Sequence, residues 1–283
     1  MAKFNWISRC TGIIIVMLPL LSQAQIVQLT LSPKLTATAE YVVGRPGYPT
    51  VLLLHGFLQT RDAPPMSTLG RALSDAGYTI LMPTLSLGYS QRTQSLACEA
   101  VQKHSLQSET AELALWVEWL NKREHRPITL IGHSNGSTVI LNYIAGDPDK
   151  NIMGAILTSV LAIKIDALEY KQALEREKSS SQSLNSYRIS YCRNYFSTAA
   201  DYLSFASVDD AKVLSMMHQA KVPLQIIIGS DDKVLPQGWG KQLVSAFPTT
   251  IVIKGSGHFF EDAHEFSLLD HVQATLKKWS SPR

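Results

Sequence analysis

Short apolar runs alternate with segments of helical periodicity along most of the chain. The run from Val51 to Leu54 is continuous, which suits a strand buried on both faces of a sheet. Segment 108–123 instead spaces its large apolar residues three and four apart, as an amphipathic helix does. Strands separated by helices form βαβ units, so the pattern predicts a mostly parallel sheet with helices on both faces.

The predicted elements form one domain, interrupted by a single long insertion. A β-hairpin over 26–31 and 35–43 comes first, because Ser32-Pro33 separates two β-prone runs. We predict further strands at 51–54, 78–82, 127–131, 152–159, 223–228 and 250–253, and helices at 66–76, 108–123, 135–145, 237–246 and 262–279. Residues 161–222 have helical pattern and no strong strand, so we expect a helical cap over one end of the sheet.

The first 24 residues have the organisation of a secretory signal peptide. Lys3 and Arg9 precede the uncharged apolar run 12–21, and small residues lead to a cleavage position after Ala24. An uncleaved membrane anchor is the alternative, but the run is far shorter than the roughly 20 apolar residues of a spanning helix. We therefore predict a signal peptide over 1–24, a domain over 25–283, and a periplasmic or secreted protein.

Charge, cysteine content and apolar runs indicate which partners and covalent links the chain has. Its 26 Lys and Arg residues against 23 Asp and Glu residues give a net charge of +3, too little to indicate nucleic-acid binding. Removing Cys10 with the signal leaves two cysteines in an oxidising compartment, so we predict that Cys98 pairs with Cys192. Two buried free thiols are the alternative. No later run reaches 18 apolar residues, so no membrane span is expected after signal removal.

No metal site is predicted. The cysteines form no CxxC pair, and three histidines have no acidic or cysteine neighbours at ligand spacing: His104, His125 and His218.

A glycine-flanked serine lies between the strand at 127–131 and the helix at 135–145. The segment Gly132-His133-Ser134-Asn135-Gly136 is a G-x-S-x-G motif, which places the serine on a strained strand-to-helix turn. Glycines two residues on either side remove side chains that would collide with neighbouring elements. The backbone N–H of Asn135, at the positive end of the helix, is placed to bind developing negative charge. The alternative for Ser134 is a helix N-cap without chemistry.

A nucleophilic serine requires a base and an orienting acid. The strand at 223–228 leads into an acidic turn that contains Asp231 and Asp232, and the strand at 250–253 leads to Gly257-His258. Both turns follow strand carboxyl ends, where ligands bind in an open α/β sheet. The candidates are thus Ser134, His258 and one of the two aspartates.

Four segments together make the sequence resemble the α/β-hydrolase superfamily over about 35–279: Leu54-His55-Gly56-Phe57, Gly132-His133-Ser134-Asn135-Gly136, Gly229-Ser230-Asp231-Asp232 and Gly257-His258. The resemblance implies Asp232 as the acid, because it lies three residues after Gly229 and four before Pro236. It also implies that the N–H of Phe57 or Leu58 joins that of Asn135 in an oxyanion hole. The loop 83–90 lacks the aspartate and arginine common in the family.

The resemblance implies a serine hydrolase that cleaves an ester-type acyl bond of a small molecule through an acyl-enzyme, with no cofactor, and the predicted signal peptide implies that it is exported. Amide, peptide or thioester cleavage and acyl transfer use the same triad and stay open. A catalytically silent binding protein is the alternative from another class. Within the insertion, Tyr187, Tyr191 and Tyr195 lie four apart, which predicts one helical face that either packs the insertion or walls an acyl pocket.

Overall fold

The computed structural model describes residues 23–179 and 182–281; the predicted signal peptide lies outside them except for Gln23 and Ala24. The elements in chain order are β1 (Gln25–Ser32), β2 (Leu35–Val42), β3 (Thr50–Leu54), α1 (Met66–Asp75), β4 (Thr79–Thr84), α2 (Leu106–Asn121), β5 (Ile128–His133), α3 (Asn135–Ala145), β6 (Ile152–Thr158), α4 (Ala167–Lys178), β7 (Asn185–Ile189), β8 (Cys192–Ser197), α5 (Ala199–Ala206), α6 (Asp210–Gln219), β9 (Leu224–Gly229), α7 (Trp239–Ala246), β10 (Ile251–Ile253) and α8 (His264–Ser280).

Eight strands form the central sheet in the order β1-β2-β4-β3-β5-β6-β9-β10. The first hairpin is antiparallel and β2 pairs antiparallel with β4, whereas the remaining neighbours pair in parallel. The carboxyl ends of β3, β5, β6, β9 and β10 therefore lie at one edge. This arrangement confirms the predicted mostly parallel α/β sheet.

Helices cover both faces of the sheet. Strands β3, β4 and β5 are buried at every position, which explains their continuous apolar runs. Leu52 belongs to a core with residues of α2 and α3, while Leu53 belongs to a second core with residues of α1 and α8. Of the helices that the structure describes, none has both the length and the apolar character to cross a membrane.

The insertion after β6 contains α4, α5 and α6, and also a two-stranded hairpin formed by β7 and β8 that the sequence pattern did not indicate. The prediction that three tyrosines share a helical face is wrong. Tyr187 and Tyr195 lie directly opposite each other in the hairpin, and both are buried. Tyr191 lies in the turn between the strands and is exposed. A spacing of four also keeps two residues on one face of a strand, so the spacing did not distinguish a helix from a hairpin.

A disulfide joins Cys98 to Cys192, with an S–S distance of 2.02 Å and a Cα–Cα distance of 5.4 Å. The predicted pairing is therefore confirmed. Cys98 lies in the loop between β4 and α2, and Cys192 is the first residue of β8. Near the disulfide, the N–H of Gln102 donates to the carbonyl of Phe196 at 2.8 Å. The loop and the hairpin are thus joined covalently and through the backbone.

Candidate functional site

Ser134 occupies the turn between β5 and α3 with φ of 53° and ψ of −121°. Residues other than glycine rarely adopt a positive φ. Here the glycines on either side of Ser134 make the turn possible. A Cβ on Gly136 would lie 2.5 Å from the carbonyl oxygens of Leu54 and His55, and one on Gly132 would lie 2.6 Å from the nitrogen of Ser137. The motif glycines therefore allow close packing against β3 and the start of α3.

Asp232 lies in the turn after β9 and contacts His258. Its Oδ2 accepts from Nδ1 of His258 at 2.8 Å, while Oδ1 accepts from the N–H groups of Val234 and Leu235 at 2.9 and 3.2 Å. Burial raises the pKa of Asp232, but these hydrogen bonds and the nearby His258 lower it by more, so its pKa lies below the ordinary value. Asp231 is exposed, and its carboxylate accepts instead from the Ser230 hydroxyl.

His258 contacts the residue that follows β6 and the last residue of β5. Ser159 follows β6 with a φ of 47°, and its hydroxyl donates to the carbonyl of His258 at 3.1 Å. The ring of His133 lies 4.9 Å from the ring of His258. Burial and the neighbouring His258 keep the pKa of His133 well below its usual range, so the His133 ring is neutral. His133 thus packs against His258 without adding a competing charge.

His133 also has a defined tautomer. The Thr158 hydroxyl donates to the carbonyl of Gly132 at 2.9 Å, so its oxygen accepts from Nδ1 of His133 at 3.2 Å. The proton of His133 is therefore on Nδ1. The ring is packed between Thr158 and His258 as a structural neighbour of the site.

A cavity of about 480 Å³ brings Ser134 and His258 onto one surface. It is also lined by residues of the loop after β3 (55–65), which we name the β3 loop, and by residues of the insertion. Its remaining lining residues are Gly56, Phe57, Gln59, His133, Leu161, Lys164, Ser190, Tyr191, Lys233, Val234 and Phe259. We name it the nucleophile cavity.

The predicted oxyanion donors lie beside this cavity. His55 donates from Nδ1 to the carbonyl of Gly56 at 2.8 Å and accepts the N–H of Leu85 at Nε2. Burial lowers the pKa of His55 to about 3, so the ring is a neutral structural link that shapes the turn after β3. Phe57 lines the nucleophile cavity, whereas Leu58 and Asn135 do not, although Asn135 directly follows the lining residue Ser134.

Comparisons with known proteins agree with this architecture. A family model described as the alpha/beta hydrolase fold matches residues 49–178. The chain has the α/β-hydrolase fold. A search of curated proteins finds no significant match.

Solved structures with the same fold span nearly the whole chain. An esterase from Pyrococcus furiosus has a TM-score of 0.60 and 18% identity, with 92% of each chain covered. Est1E from Butyrivibrio proteoclasticus has a TM-score of 0.65 and 14% identity, covering 90% of this chain and 98% of its own. The thioesterase domain from the curacin biosynthetic pathway has a TM-score of 0.61 and 16% identity, covering 89% and 99%. At these identities the likeness shows the fold.

Within this fold, Arg92 supports the loop after β3, a role that the sequence did not reveal. Its buried guanidinium donates to the carbonyls of Gln59 at 2.7 Å, Gln94 at 2.8 Å and Leu85 at 2.9 Å. Burial lowers the pKa of Arg92 to about 10, although nearby carboxylates oppose this shift, so the group stays charged at neutral pH. Because Arg92 lies beyond the loop 83–90 in a polar stretch, sequence pattern did not distinguish it from a surface arginine.

A buried polar network continues behind Asn135. Its side-chain Nδ2 donates to Oε2 of Glu109 at 3.0 Å, and Oε1 of Glu109 lies 2.6 Å from Nδ1 of His104. The hydroxyl of Tyr195, on β8, lies 3.3 Å from Nε2 of His104. The expectation that His104 has no acidic neighbour is therefore wrong, because the start of α2 folds Glu109 back onto it. The network connects the residue after Ser134 with the insertion.

The hairpin turn of the insertion contacts the β3 loop directly. The hydroxyl of Tyr191 donates to the carbonyl of Phe57 at 3.0 Å, and the two rings meet edge to face with centroids 6.0 Å apart. Tyr191 is thus both a lining residue of the nucleophile cavity and a support for its proposed oxyanion loop.

Proposed function

We propose that this chain is an exported serine hydrolase that cleaves ester-type acyl bonds of small molecules. The observation that carries the proposal is the Asp232–His258 hydrogen bond at 2.8 Å, beside a cavity that Ser134 and His258 both line. A serine on a strained strand-to-helix turn, a histidine and a buried carboxylate are the parts that acyl transfer requires.

In the proposed reaction, the Ser134 hydroxyl oxygen attacks the ester carbonyl while Nε2 of His258 accepts its proton. Asp232 holds Nδ1–H and stabilises the imidazolium. The N–H groups of Asn135 and Phe57 bind the oxyanion of the tetrahedral intermediate. His258 then protonates the leaving alcohol, and a water activated by the same imidazole releases the acid from Ser134. No cofactor takes part in these steps.

The same residues are suited to thioester cleavage, and the fold shared with the curacin thioesterase domain makes this the second candidate. Amide cleavage and acyl transfer use the same intermediate. An ester substrate is favoured because the structural relatives include a Pyrococcus esterase. A panel of p-nitrophenyl esters of graded chain length, with matched thioesters and anilides, ranks these activities.

Export is part of the proposal. Its support is the basic start, apolar run and small residues of segment 1–24, together with a disulfide of the kind that persists in oxidising compartments. N-terminal sequencing of the protein from a secreting host tests it, with Gln25 as the expected first residue.

Fluorophosphonate labelling tests the catalytic assignment. We expect the probe to label the wild type at Ser134 and to label neither Ser134→Ala nor His258→Ala, and we expect ester hydrolysis to fall by about 10³-fold or more in Ser134→Ala. Ser190→Ala is the matched control, because Ser190 lines the same cavity and also has a positive φ, but lies in the turn between β7 and β8. Full hydrolysis by Ser134→Ala would refute the assignment.

A further inference from the structure

The nucleophile cavity has an asymmetric charge. Two lysines line it, Lys164 and Lys233, and none of its lining residues is an aspartate or glutamate. Both lysines are exposed, so water surrounds their ammonium groups. Within the described residues, neither ammonium lies within 4.0 Å of a carboxylate oxygen in an ion pair.

The backbone at both lysines is held in place. The carbonyl of Lys164, in the segment after β6, accepts from the N–H of Ser190 in the hairpin turn at 3.0 Å. Lys233 directly follows Asp232, and the two N–H groups that bind Asp232 belong to the next two residues. One lysine therefore comes from the insertion and the other from the catalytic-acid turn. Their side chains are exposed, whereas backbone hydrogen bonds fix the segments from which they extend.

A second cavity of about 700 Å³ adjoins the first and shares both lysines as lining residues. Asp209 and Asp210 line it as well, whereas no aspartate or glutamate lines the nucleophile cavity. Asp209 is already engaged, because its carboxylate accepts from the N–H of Lys212 at 2.7 Å. Lys164 and Lys233 thus line both cavities, and in the one that contains Ser134 no aspartate or glutamate lines the wall beside them.

We propose that the preferred substrates are esters that carry a carboxylate near the scissile bond, such as monoesters of dicarboxylic acids. This inference rests on the proposed hydrolase function and adds its substrate class. The apolar lining from Phe57, Leu161 and Phe259 accommodates the hydrocarbon part, while Lys164 and Lys233 bind the carboxylate at the rim. Positive charge at the entrance also concentrates anions there.

Two esters that differ in one charge provide the test: p-nitrophenyl hydrogen glutarate, an anion, and its neutral methyl ester. We expect the wild type to prefer the anion in kcat/KM. Each of Lys164→Gln and Lys233→Gln lowers the anion-to-neutral ratio about two- to fivefold, and the double variant about five- to twentyfold, as for exposed ion pairs. Raising the ionic strength from about 0.02 to 0.5 M weakens the wild-type preference.

Lys278→Gln is the matched control, since it removes the same charge from the exposed end of α8 and does not line the cavity. We expect its ratio to equal that of the wild type. The proposal is overturned, with the hydrolase function intact, when both esters are cleaved through Ser134 but the ratio is unchanged in the double variant.

Calorimetry on the Ser134→Ala protein separates the two proposals. Glutaric acid monoanilide should bind more tightly than its methyl ester, and the difference should disappear when Lys164→Gln and Lys233→Gln are added. If the wild type neither hydrolyses the esters nor takes the fluorophosphonate label while this binding pattern is observed, the hydrolase function alone is refuted. Equal binding of the two anilides would refute the carboxylate site.

Discussion

The carboxyl edge of the sheet and the insertion after β6 contribute to the same cavity in different ways. The sheet contributes Ser134 and His258 from turns that buried parallel strands hold in place. The insertion contributes Tyr191 and Lys164, which lie on a hairpin turn and an exposed segment. In our proposals the sheet supplies the chemistry, while the carboxylate site takes one lysine from each region, Lys164 from the insertion and Lys233 from the turn after β9.

The interactions that stabilise the two regions differ as well. Around Ser134 the contacts are buried backbone hydrogen bonds and glycine-mediated packing. In the insertion, Arg188 pairs with Asp166 and Glu169 at 2.9 Å on an exposed surface. Exposed ion pairs contribute little to stability, so the stacked tyrosines and the Cys98–Cys192 disulfide hold the insertion.

The largest effect is expected in the sheet region, from Asp232→Asn. The amide no longer stabilises the imidazolium of His258, so kcat should fall about 10³- to 10⁴-fold with KM changed only a few fold. Asp231→Asn is the matched control and should retain activity within about twofold, because Asp231 does not contact His258. Steady-state ester kinetics measure both, and equal losses in the two variants would contradict the assignment.

The disulfide test asks whether the insertion loosens separately from the sheet. Replacing Cys98 and Cys192 by serine removes a link between positions 94 residues apart, which costs up to about 4–5 kcal/mol of unfolding free energy by chain entropy. We expect faster hydrogen exchange in β7 and β8 and unchanged exchange in β3 and β5. Faster exchange throughout would show that the two regions unfold as one unit. Wild type under reducing conditions provides the control.

The pH dependence of stability tests the region of the sheet and its helices, without the insertion. Burial raises the pKa of Glu112, on α2, to about 7, although the N–H and hydroxyl of Ser86 donate to its carboxylate. The folded state therefore keeps a proton that the unfolded state has lost between the unfolded value of 4.5 and about 7. Stability from this group is complete below the lower pKa and is lost as the pH rises through the upper one.

We therefore expect the wild-type free energy of unfolding to fall by roughly 2–3 kcal/mol between pH 5 and 8, and Glu112→Gln to fall by less. Urea denaturation across this range measures both. Glu118→Gln, on the exposed side of the same helix, should follow the wild type. Parallel pH profiles for the wild type and Glu112→Gln would contradict the assignment of this loss to Glu112.

The smallest effect is expected in the insertion, from Tyr191→Phe. This variant removes only the hydroxyl that donates to the Phe57 carbonyl, so kcat/KM should fall about two- to tenfold. Tyr170→Phe, on α4 and outside the cavity lining, should be neutral. Ester kinetics compare the two, and an unchanged kcat/KM in Tyr191→Phe would show that the insertion does not support the β3 loop.

Sequence patterns predicted the sheet and its turns well because the constraints there are local. A strand buried on both faces must be continuously apolar, as β3 is, and a strained turn after β5 needs the glycines at 132 and 136. The acidic turn after β9 left Asp231 and Asp232 as equal candidates by pattern. Only the resemblance separated them in advance, and in the structure Asp232 is the one that contacts His258.

Other features arose from contacts between segments that are distant in the chain. The sequence pattern around Arg92 is that of a surface residue. In the structure its guanidinium is buried and donates to the carbonyls of Gln59 and Leu85. Tyr187 and Tyr195 fit a helix or a strand, and pairing across the hairpin selected the strand. Local periodicity and turn geometry were thus sufficient for the α/β sheet and the Ser134 turn, because they depend on neighbouring residues. Packing decided which polar side chains are buried, which charges lack a partner and how the insertion meets the site, because those outcomes depend on where distant segments come together.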